Sequence, residues 1–122
     1  MVWTWIAKKI LKLTREGGVL GKLASLYVAS GHSVTLSVKV DKLIIDILAQ
    51  KNNAKYAIKA HLTSNPVNTR EIEEIANASS KINAKPILII YGSAKILSDA
   101  LEKANELGVK IKCVRKITLE PH

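Results

Sequence analysis

The sequence predicts an α/β domain in which a central mixed sheet is flanked by helices. Short apolar or alternating runs typical of strands recur along the chain, and segments of helical periodicity precede the last two of them. Turn-forming glycine, proline and asparagine residues separate these runs. Because 122 residues suffice for one domain with its own core, we predict a single domain over 1–122, with an N-terminal helix over 1–18, a core over 19–114 and a tail over 115–122.

The chain begins with two helical patterns. Apolar residues recur at helical spacing while lysines and arginine fall on another face, which predicts a basic amphipathic helix; the apolar positions are Trp3, Ile6, Ile10 and Leu13. Gly17 and Gly18 interrupt this pattern. A second helix over about 20–30 ends at Gly31, a residue that favours a left-handed helix stop.

Three strands are predicted next. Apolar and polar residues alternate over 34–40, which is typical of a half-exposed strand. Apolar runs at 43–49 and 55–62 predict two more strands, and Asn52-Asn53 between them predicts a hairpin turn. These three strands are expected to be antiparallel neighbours.

The second half alternates helices and strands. Asn68, with Glu71 three residues later, resembles a capping arrangement for a helix that continues to Ile82. A buried strand follows at 86–91. Ser93 is expected to cap a further helix that turns Leu97, Ala100, Leu101 and Ala104 inward and ends at Gly108. The last strand, 109–114, includes Cys113 as a small core residue. Helical crossovers predict that the later strands add in parallel.

One aspartate and one lysine lie inside adjacent apolar strands. Asp46 interrupts the run 43–49, and a buried carboxylate is costly unless a cation, a metal or a donor compensates its charge. Strand parity places Lys59 and His61 on one face of the next strand. The hairpin therefore brings Lys59 near Asp46, either as a structural ion pair or as a nuclease-type site or its remnant.

The charge of the chain indicates a polyanionic partner. A formal net charge of +9 on a small domain favours nucleic acid, although a lysine-rich and isoleucine-rich surface is also typical of thermophilic proteins. We expect DNA rather than RNA. The candidate phosphate contacts are Lys8, Lys12, Arg15, Lys22, Lys39 and Lys59.

The order αβββαβαβ, with Asp46 on the second strand and Lys59 on the third, resembles the restriction-endonuclease-like superfamily with its PD-(D/E)XK motif. This superfamily includes archaeal Holliday junction resolvases and RecB-type nuclease domains. The resemblance extends over roughly 20–114. It rests on the segments Gly31-His-Ser-Val34, Ile45-Asp46-Ile47, Ala57-Ile-Lys59 and Ala84-Lys-Pro-Ile-Leu-Ile-Ile90.

The resemblance implies a Mg²⁺ site that this sequence fills incompletely. In the family, a helix glutamate, the aspartate and a third-strand acid bind the metal, and the lysine assists the attacking water. Here Gly21 lies near the first position and Ala57 replaces the third. Asp46 alone would hold Mg²⁺ poorly. Glu71 or Glu74 in the following helix, or Glu16 before the glycines, could supply a displaced acid.

Three functions remain open. The first is a nucleic-acid-binding accessory or structural subunit with a decayed nuclease site and no cofactor. The second is a divergent Mg²⁺-dependent, resolvase-like endonuclease that uses Asp46, Lys59 and a displaced glutamate. The third is a non-catalytic subunit of an archaeal tRNA-splicing endonuclease, since Lys85 falls near the catalytic lysine of that family.

Other sequence features bear on the localisation of the protein and on its partners. No apolar run approaches the roughly 20 residues that span a bilayer, and the start has no secretory signal, so we expect a cytoplasmic protein without membrane contact. Trp3 and Trp5 could anchor a dimer or a partner subunit, or pack onto their own domain. His32 and His61 lack acidic partners at metal-ligand spacing and are expected to be surface or strand histidines. The aromatic content of 4% argues against a base-stacking surface.

Overall fold

The elements follow the predicted αβββαβαβ order in the computed structural model, which describes residues 18–114. They are helix α1 (Gly18–Ala29), strands β1 (Ser33–Val40), β2 (Leu43–Lys51) and β3 (Ala54–His61), helix α2 (Thr69–Lys81), strand β4 (Lys85–Tyr91), helix α3 (Ser98–Leu107) and strand β5 (Lys110–Val114). The helix predicted over 1–18, apart from its last residue, and the tail over 115–122 lie outside the described residues.

The sheet is mixed, as predicted. Its strands lie in the order β1-β2-β3-β4-β5. The first three strands pair antiparallel, and β4 and β5 add in parallel. Asn52-Asn53 forms the β2–β3 turn, with Asn52 at a φ of 57°. Helices α2 and α3 carry the crossovers that parallel pairing requires.

The sheet separates two hydrophobic clusters. On one face, α1 contributes Leu23, Ala24 and Val28. On the other face, Ile72 and Ile75 of α2 and the alanines of α3 pack against the sheet. The residues predicted to form the core are all buried, namely Ile45, Ile47, Ile58, Leu88 and Ile90. The predicted fold class, a central mixed sheet flanked by helices, is therefore confirmed.

Strands β1 and β2 exchange faces halfway along their length, which the alternating sequence did not indicate. Leu36 and Ile47 pair with each other and pack on the α1 side, whereas Val38 and Ile45 pair and pack on the α2–α3 side. Ser37, with a φ of 53°, lies between these pairs. Its left-handed backbone rotates the strand, so residues two apart no longer share a face.

The helix boundaries confirm one cap and correct another. The side chain of Asn68 accepts a hydrogen bond from the Glu71 N–H at 3.1 Å, as a capping residue should. Ser93 does not cap α3, which begins at Ser98. The preceding segment is extended instead, because the Leu97 N–H donates to the Val67 carbonyl and Ile96 forms a bridge with Val67.

Helix α3 and strand β5 are less buried than expected. Ala100 and Ala104 face the core, but Leu97 and Leu101, which were also predicted to face inward, are each 44% exposed. Cys113 is exposed rather than part of the core. Among residues 18–114, no helix combines the length and the apolar character needed to traverse a bilayer.

Candidate functional site

A cleft of about 320 Å³ opens where β3 ends, and it gathers several of the predicted site residues. Asp46 from β2, Lys59 from β3 and Glu71 from α2 line it together with His61. Glu74 does not line this cleft; its carboxylate binds the exposed Arg70 guanidinium at 3.0 Å. Of the three glutamates considered as displaced acids, Glu16 lies outside the described residues, and of the other two only Glu71 lies beside Asp46 and Lys59.

Asp46 is held by a backbone group rather than by the expected lysine. Its Oδ2 accepts a hydrogen bond from the Ala60 N–H at 2.9 Å. The β2–β3 ladder has its last pair at Ile47 and Ile58, so beyond this pair the Asp46 side chain takes the place of a backbone acceptor. This bond satisfies a donor that the departing β2 strand would otherwise leave unpaired.

The expected ion pair between Asp46 and Lys59 is absent from the described contacts. No nitrogen–oxygen distance of 4.0 Å or less joins the two side chains, although both line the same cleft. Lys59 is only half-buried, so water can solvate its ammonium group. The lysine therefore stays available to an anion from outside the protein.

His61 forms the best-connected polar group of the cleft, against the expectation of a histidine without acidic partners. It is 4% exposed, and its Nδ1 lies 2.9 Å from Oε2 of Glu71. Its Nε2 lies 2.5 Å from the Asn65 carbonyl oxygen. Only a ring protonated at both nitrogens can donate to both acceptors. These contacts fasten the end of β3 to the first turn of α2.

Sequence reasoning could have found this pair from strand parity. The parity that placed His61 on the face opposite Ile58 also directs it toward the helix that follows β3, and Glu71 lies in the first turn of that helix. Spacing rules for metal ligands did not apply, because ten positions and a loop separate the residues. The loop is fixed by buried Val67, whose N–H donates to the Lys95 carbonyl.

The described residues do not fit the Mg²⁺ site that the nuclease resemblance implies. Between residues 18 and 114, no group of three or more histidine, cysteine, aspartate or glutamate side chains could hold a metal. Ala57, at the third acidic position, is fully buried in the α2–α3 cluster, and Gly21 is buried within α1. Both Glu71 oxygens face the His61 ring. Asp46 is left without a second carboxylate to share a metal.

The predicted phosphate contacts are only partly within the described chain. Lys22 and Lys59 are half-buried and Lys39 is exposed, whereas Lys8, Lys12 and Arg15 lie outside the described residues. Among the lysines and arginine of 18–114, only Arg70, Lys81 and Lys103 form ion pairs. The remaining lysines of this part of the chain keep their charge uncompensated by a neighbouring acid.

A second pocket lies at the opposite end of β3 and was not predicted. It has a volume of about 560 Å³ and is lined by residues that include Tyr27, His32, Tyr56 and Lys85. Lys85 is the residue that sequence reasoning placed near the catalytic lysine of the tRNA-splicing endonucleases. The pocket collects aromatic and basic side chains from α1, the α1–β1 loop, β3 and β4 that are scattered along the sequence.

Two solved structures have a similar fold. One is the crystal structure of a protein of unknown function, AF1548, with a TM-score of 0.59 and 21% sequence identity; the match covers 75% of this chain and 54% of that chain. The other is SfsA of Pyrococcus furiosus in complex with Ca²⁺, with a TM-score of 0.61 and 13% identity, covering 80% and 56%. This chain thus spans just over half the length of each. The similarity shows a shared fold.

No protein-family model and no curated protein matches the sequence.

Proposed function

We propose that this chain binds nucleic acid, with DNA as the preferred form, through a nuclease-like fold without a working metal site. In this proposal it serves as an accessory or structural subunit, either as a homo-oligomer or with a partner chain. One observation carries the proposal: most lysines of the described chain have no acidic partner, so the excess positive charge is free to contact phosphates.

The state of the Asp46 cleft supports a binding role over a catalytic one. Phosphodiester hydrolysis by this class of fold depends on a metal that orients and activates water. Here the Asp46 carboxylate accepts from a backbone N–H, and the Glu71 carboxylate binds His61. Lys59 remains able to contact a phosphate at the mouth of the cleft. The cleft therefore offers one free cation and no set of metal ligands among the described residues.

A salt titration tests the binding proposal. We expect the affinity for labelled duplex and branched DNA to fall steeply with salt, with a slope of log affinity against log salt of about −0.9 for each phosphate neutralised. Fluorescence anisotropy between low and physiological salt measures this slope. A flat titration, or no binding to duplex DNA, branched DNA or RNA at low salt, would contradict the proposal.

Two matched lysine variants make the titration specific. Lys59→Gln removes a charge that has no acidic partner, and we expect it to weaken binding and to lower the magnitude of the slope by about 0.9. Lys103→Gln removes the same charge from a lysine already paired with Glu73 and Glu106. We expect the second variant to change affinity less. Equal effects would show that neither lysine contacts phosphate specifically.

The third function considered from the sequence, a non-catalytic subunit of an archaeal tRNA-splicing endonuclease, has one supporting observation. Lys85 lies in a pocket beside a histidine and two tyrosines rather than on an isolated surface. Binding to a precursor tRNA that exceeds binding to a DNA duplex of equal length, measured at the same salt, would favour this second candidate over the first. The opposite preference would remove it.

A further inference from the structure

The pocket at the start of β3 is built from aromatic rings in mutual contact. The Tyr27 and His32 ring centroids lie 5.6 Å apart at an interplanar angle of 85°. The His32 and Tyr56 centroids lie 5.8 Å apart at 68°. Both arrangements are the edge-to-face type that aromatic pairs favour. His32 thus stands between the two tyrosines, and its position is fixed by a contact of 3.2 Å between its Nδ1 and the Tyr27 carbonyl oxygen.

Lysines from the neighbouring parallel strands surround these rings. Lys85, at the start of β4, has its Nζ 5.9 Å from the centre of the Tyr56 ring. Lys112 of β5 places its Nζ 5.6 Å from the Tyr27 ring, and Lys110 also lines the pocket. In the described part of the chain, none of these three lysines forms an ion pair.

The pocket contains no opposing negative charge among the residues that line it. No aspartate or glutamate is part of its described wall. Burial, and then the neighbouring Tyr56, raise the pKa of Tyr27, so its hydroxyl group is neutral at ordinary pH. An anion that enters the pocket therefore meets three ammonium groups and no carboxylate.

We propose that this pocket binds one unpaired nucleotide, with its base against the Tyr27–His32–Tyr56 rings and its phosphate held by Lys85, Lys110 and Lys112. The inference rests on the proposed nucleic-acid-binding function and adds a site to it. Aromatic rings bind bases by stacking without regard to sequence, and lysines contact phosphate as point charges. Rings that can contact a base and lysines that can contact a phosphate thus line the same pocket.

The size and position of the pocket suit a single strand. Its volume of about 560 Å³ lies in the range of pockets that bury a small ligand. An adjoining hollow shares His32, Tyr56 and Lys85 and extends to Lys51 and the Asn52-Asn53 turn, which provides a path for a flanking nucleotide. Bases inside a duplex are stacked on one another and do not present a free face to such rings. The pocket therefore selects unpaired over paired nucleotides.

The site is separate from the Asp46 cleft. Tyr56 lies near the start of β3 and His61 at its end, so about 16 Å of strand separates the two at roughly 3.3 Å per residue. Each end of the strand therefore carries its own described histidine: His32 belongs to the nucleotide pocket and His61 to the cleft. This arrangement provides a reporter for each site.

Nuclear magnetic resonance of the two histidine rings tests the assignment in the wild-type protein. Uridine monophosphate and deoxyuridine monophosphate are titrated in separate arms, so that the ribose and deoxyribose forms of one nucleotide are compared. We expect the His32 ring protons to shift with saturation while those of His61 do not, because a stacked base changes the magnetic field at the adjacent ring. Shifts confined to His61, or no shift at millimolar nucleotide, would overturn the proposal.

Oligonucleotide binding by matched double variants provides the second measurement. Lys85→Gln/Lys110→Gln removes two exposed charges from the pocket, and Lys42→Gln/Lys95→Gln removes two exposed charges elsewhere. At low salt we expect the pocket variant to lose about tenfold in affinity for single-stranded RNA or DNA, and the control variant about threefold or less. Affinity for a duplex of equal length should change alike in both variants.

The outcomes separate this inference from the function on which it rests. If the wild-type protein binds no nucleic acid, the proposed function fails. If it binds but the pocket variant loses no more single-strand affinity than the control, the nucleotide site fails while the proposed function survives. A Tyr56→Leu variant with unchanged single-strand affinity and an unchanged melting temperature would equally contradict the stacking role.

Discussion

The Nδ1 of His61 lies 2.9 Å from the Glu71 carboxylate, and this contact joins the last residue of β3 to the first turn of α2. The histidine is almost fully buried and its other nitrogen faces the Asn65 carbonyl oxygen. One side chain thus fixes the strand, the loop and the helix that enclose the cleft. This role is structural. It engages the carboxylate of Glu71, which the sequence had suggested as a metal ligand.

Removal of Glu71 should destabilise the protein. Glu71→Ala leaves the buried Nδ1 of His61 without an acceptor, and an unsatisfied buried polar group costs about 1–3 kcal/mol. Glu74→Ala is the matched control on the same helix, because within residues 18–114 the ion pair of Glu74 is with an arginine that is 86% exposed. The control should change the free energy of unfolding by less than about 0.5 kcal/mol. Urea denaturation measures both, and equal losses would contradict the structural role of Glu71.

Asp46→Ala should also lower stability, through the backbone rather than through Lys59. The variant leaves the Ala60 N–H without its acceptor, which we expect to cost about 1–2 kcal/mol. Asp46→Asn retains a side-chain oxygen and should lose less. Lys59→Met should leave stability nearly unchanged, because no ion pair joins the two residues. A large loss in Lys59→Met, seen in the same denaturation series, would restore the ion-pair interpretation.

The cap of α2 offers a third test. Asn68→Ala removes the acceptor for the Glu71 N–H and should cost about 1 kcal/mol, a typical value for a lost N-cap. Asn77→Ala, on an exposed position inside the same helix, replaces the same residue type where no cap is lost. We expect that control to be neutral or slightly stabilising, since alanine favours helices. Thermal melts compare the stability of the two variants, and equal melting temperatures would contradict the capping role of Asn68.

Metal ions should neither activate nor stabilise the protein. We expect no cleavage of DNA or RNA with Mg²⁺ or Mn²⁺. A metal ion that binds the native state raises the melting temperature. We therefore also expect the same melting temperature in EDTA as in Mg²⁺, Mn²⁺ or Ca²⁺. Ca²⁺ is included in this series because the structure of SfsA is that of a complex with Ca²⁺. Metal-dependent cleavage that disappears in both Asp46→Ala and Lys59→Ala would favour the resolvase-like endonuclease instead, and Glu71→Ala would then show whether a displaced acid completes the site.

The Tyr27 hydroxyl should lose its proton at a higher pH than the hydroxyl of an ordinary tyrosine. Burial, followed by the effect of Tyr56, raises the pKa of Tyr27. A group whose pKa is raised in the folded state contributes stability below its unfolded pKa and loses that contribution as the pH rises through the folded value. An ultraviolet titration that follows tyrosinate absorbance should therefore show one ionisation at unusually high pH, and Tyr27→Phe should remove it. Persistence of that step in the variant would assign it to another tyrosine.

Much of the fold follows from local sequence patterns. Periodicity placed the helices and strands, and the apolar run around Ile87–Ile90 identified a strand that is buried on both faces. The Asn52-Asn53 turn and the Asn68 cap were also predictable, because each depends on chemistry within a few residues. The start of α3 was not, since the extended segment before it depends on a bridge to Val67, which lies far away in the sequence.

The candidate site depended on contacts between distant segments. The sequence by itself determined that Asp46 and Lys59 lie on neighbouring strands and that the chain carries excess positive charge. Only the tertiary structure decided what Asp46 binds, because the β2–β3 ladder ends at Ile47 and Ile58 and the carboxylate then accepts from the Ala60 N–H.

Tertiary structure alone also decided that Tyr27, His32 and Tyr56 meet beside lysines from two other strands. Overall aromatic content could not show this, because a stacking site needs only a few rings in contact. Local propensity fixes which element a residue joins. The packing of elements remote in sequence fixes which side chains become neighbours.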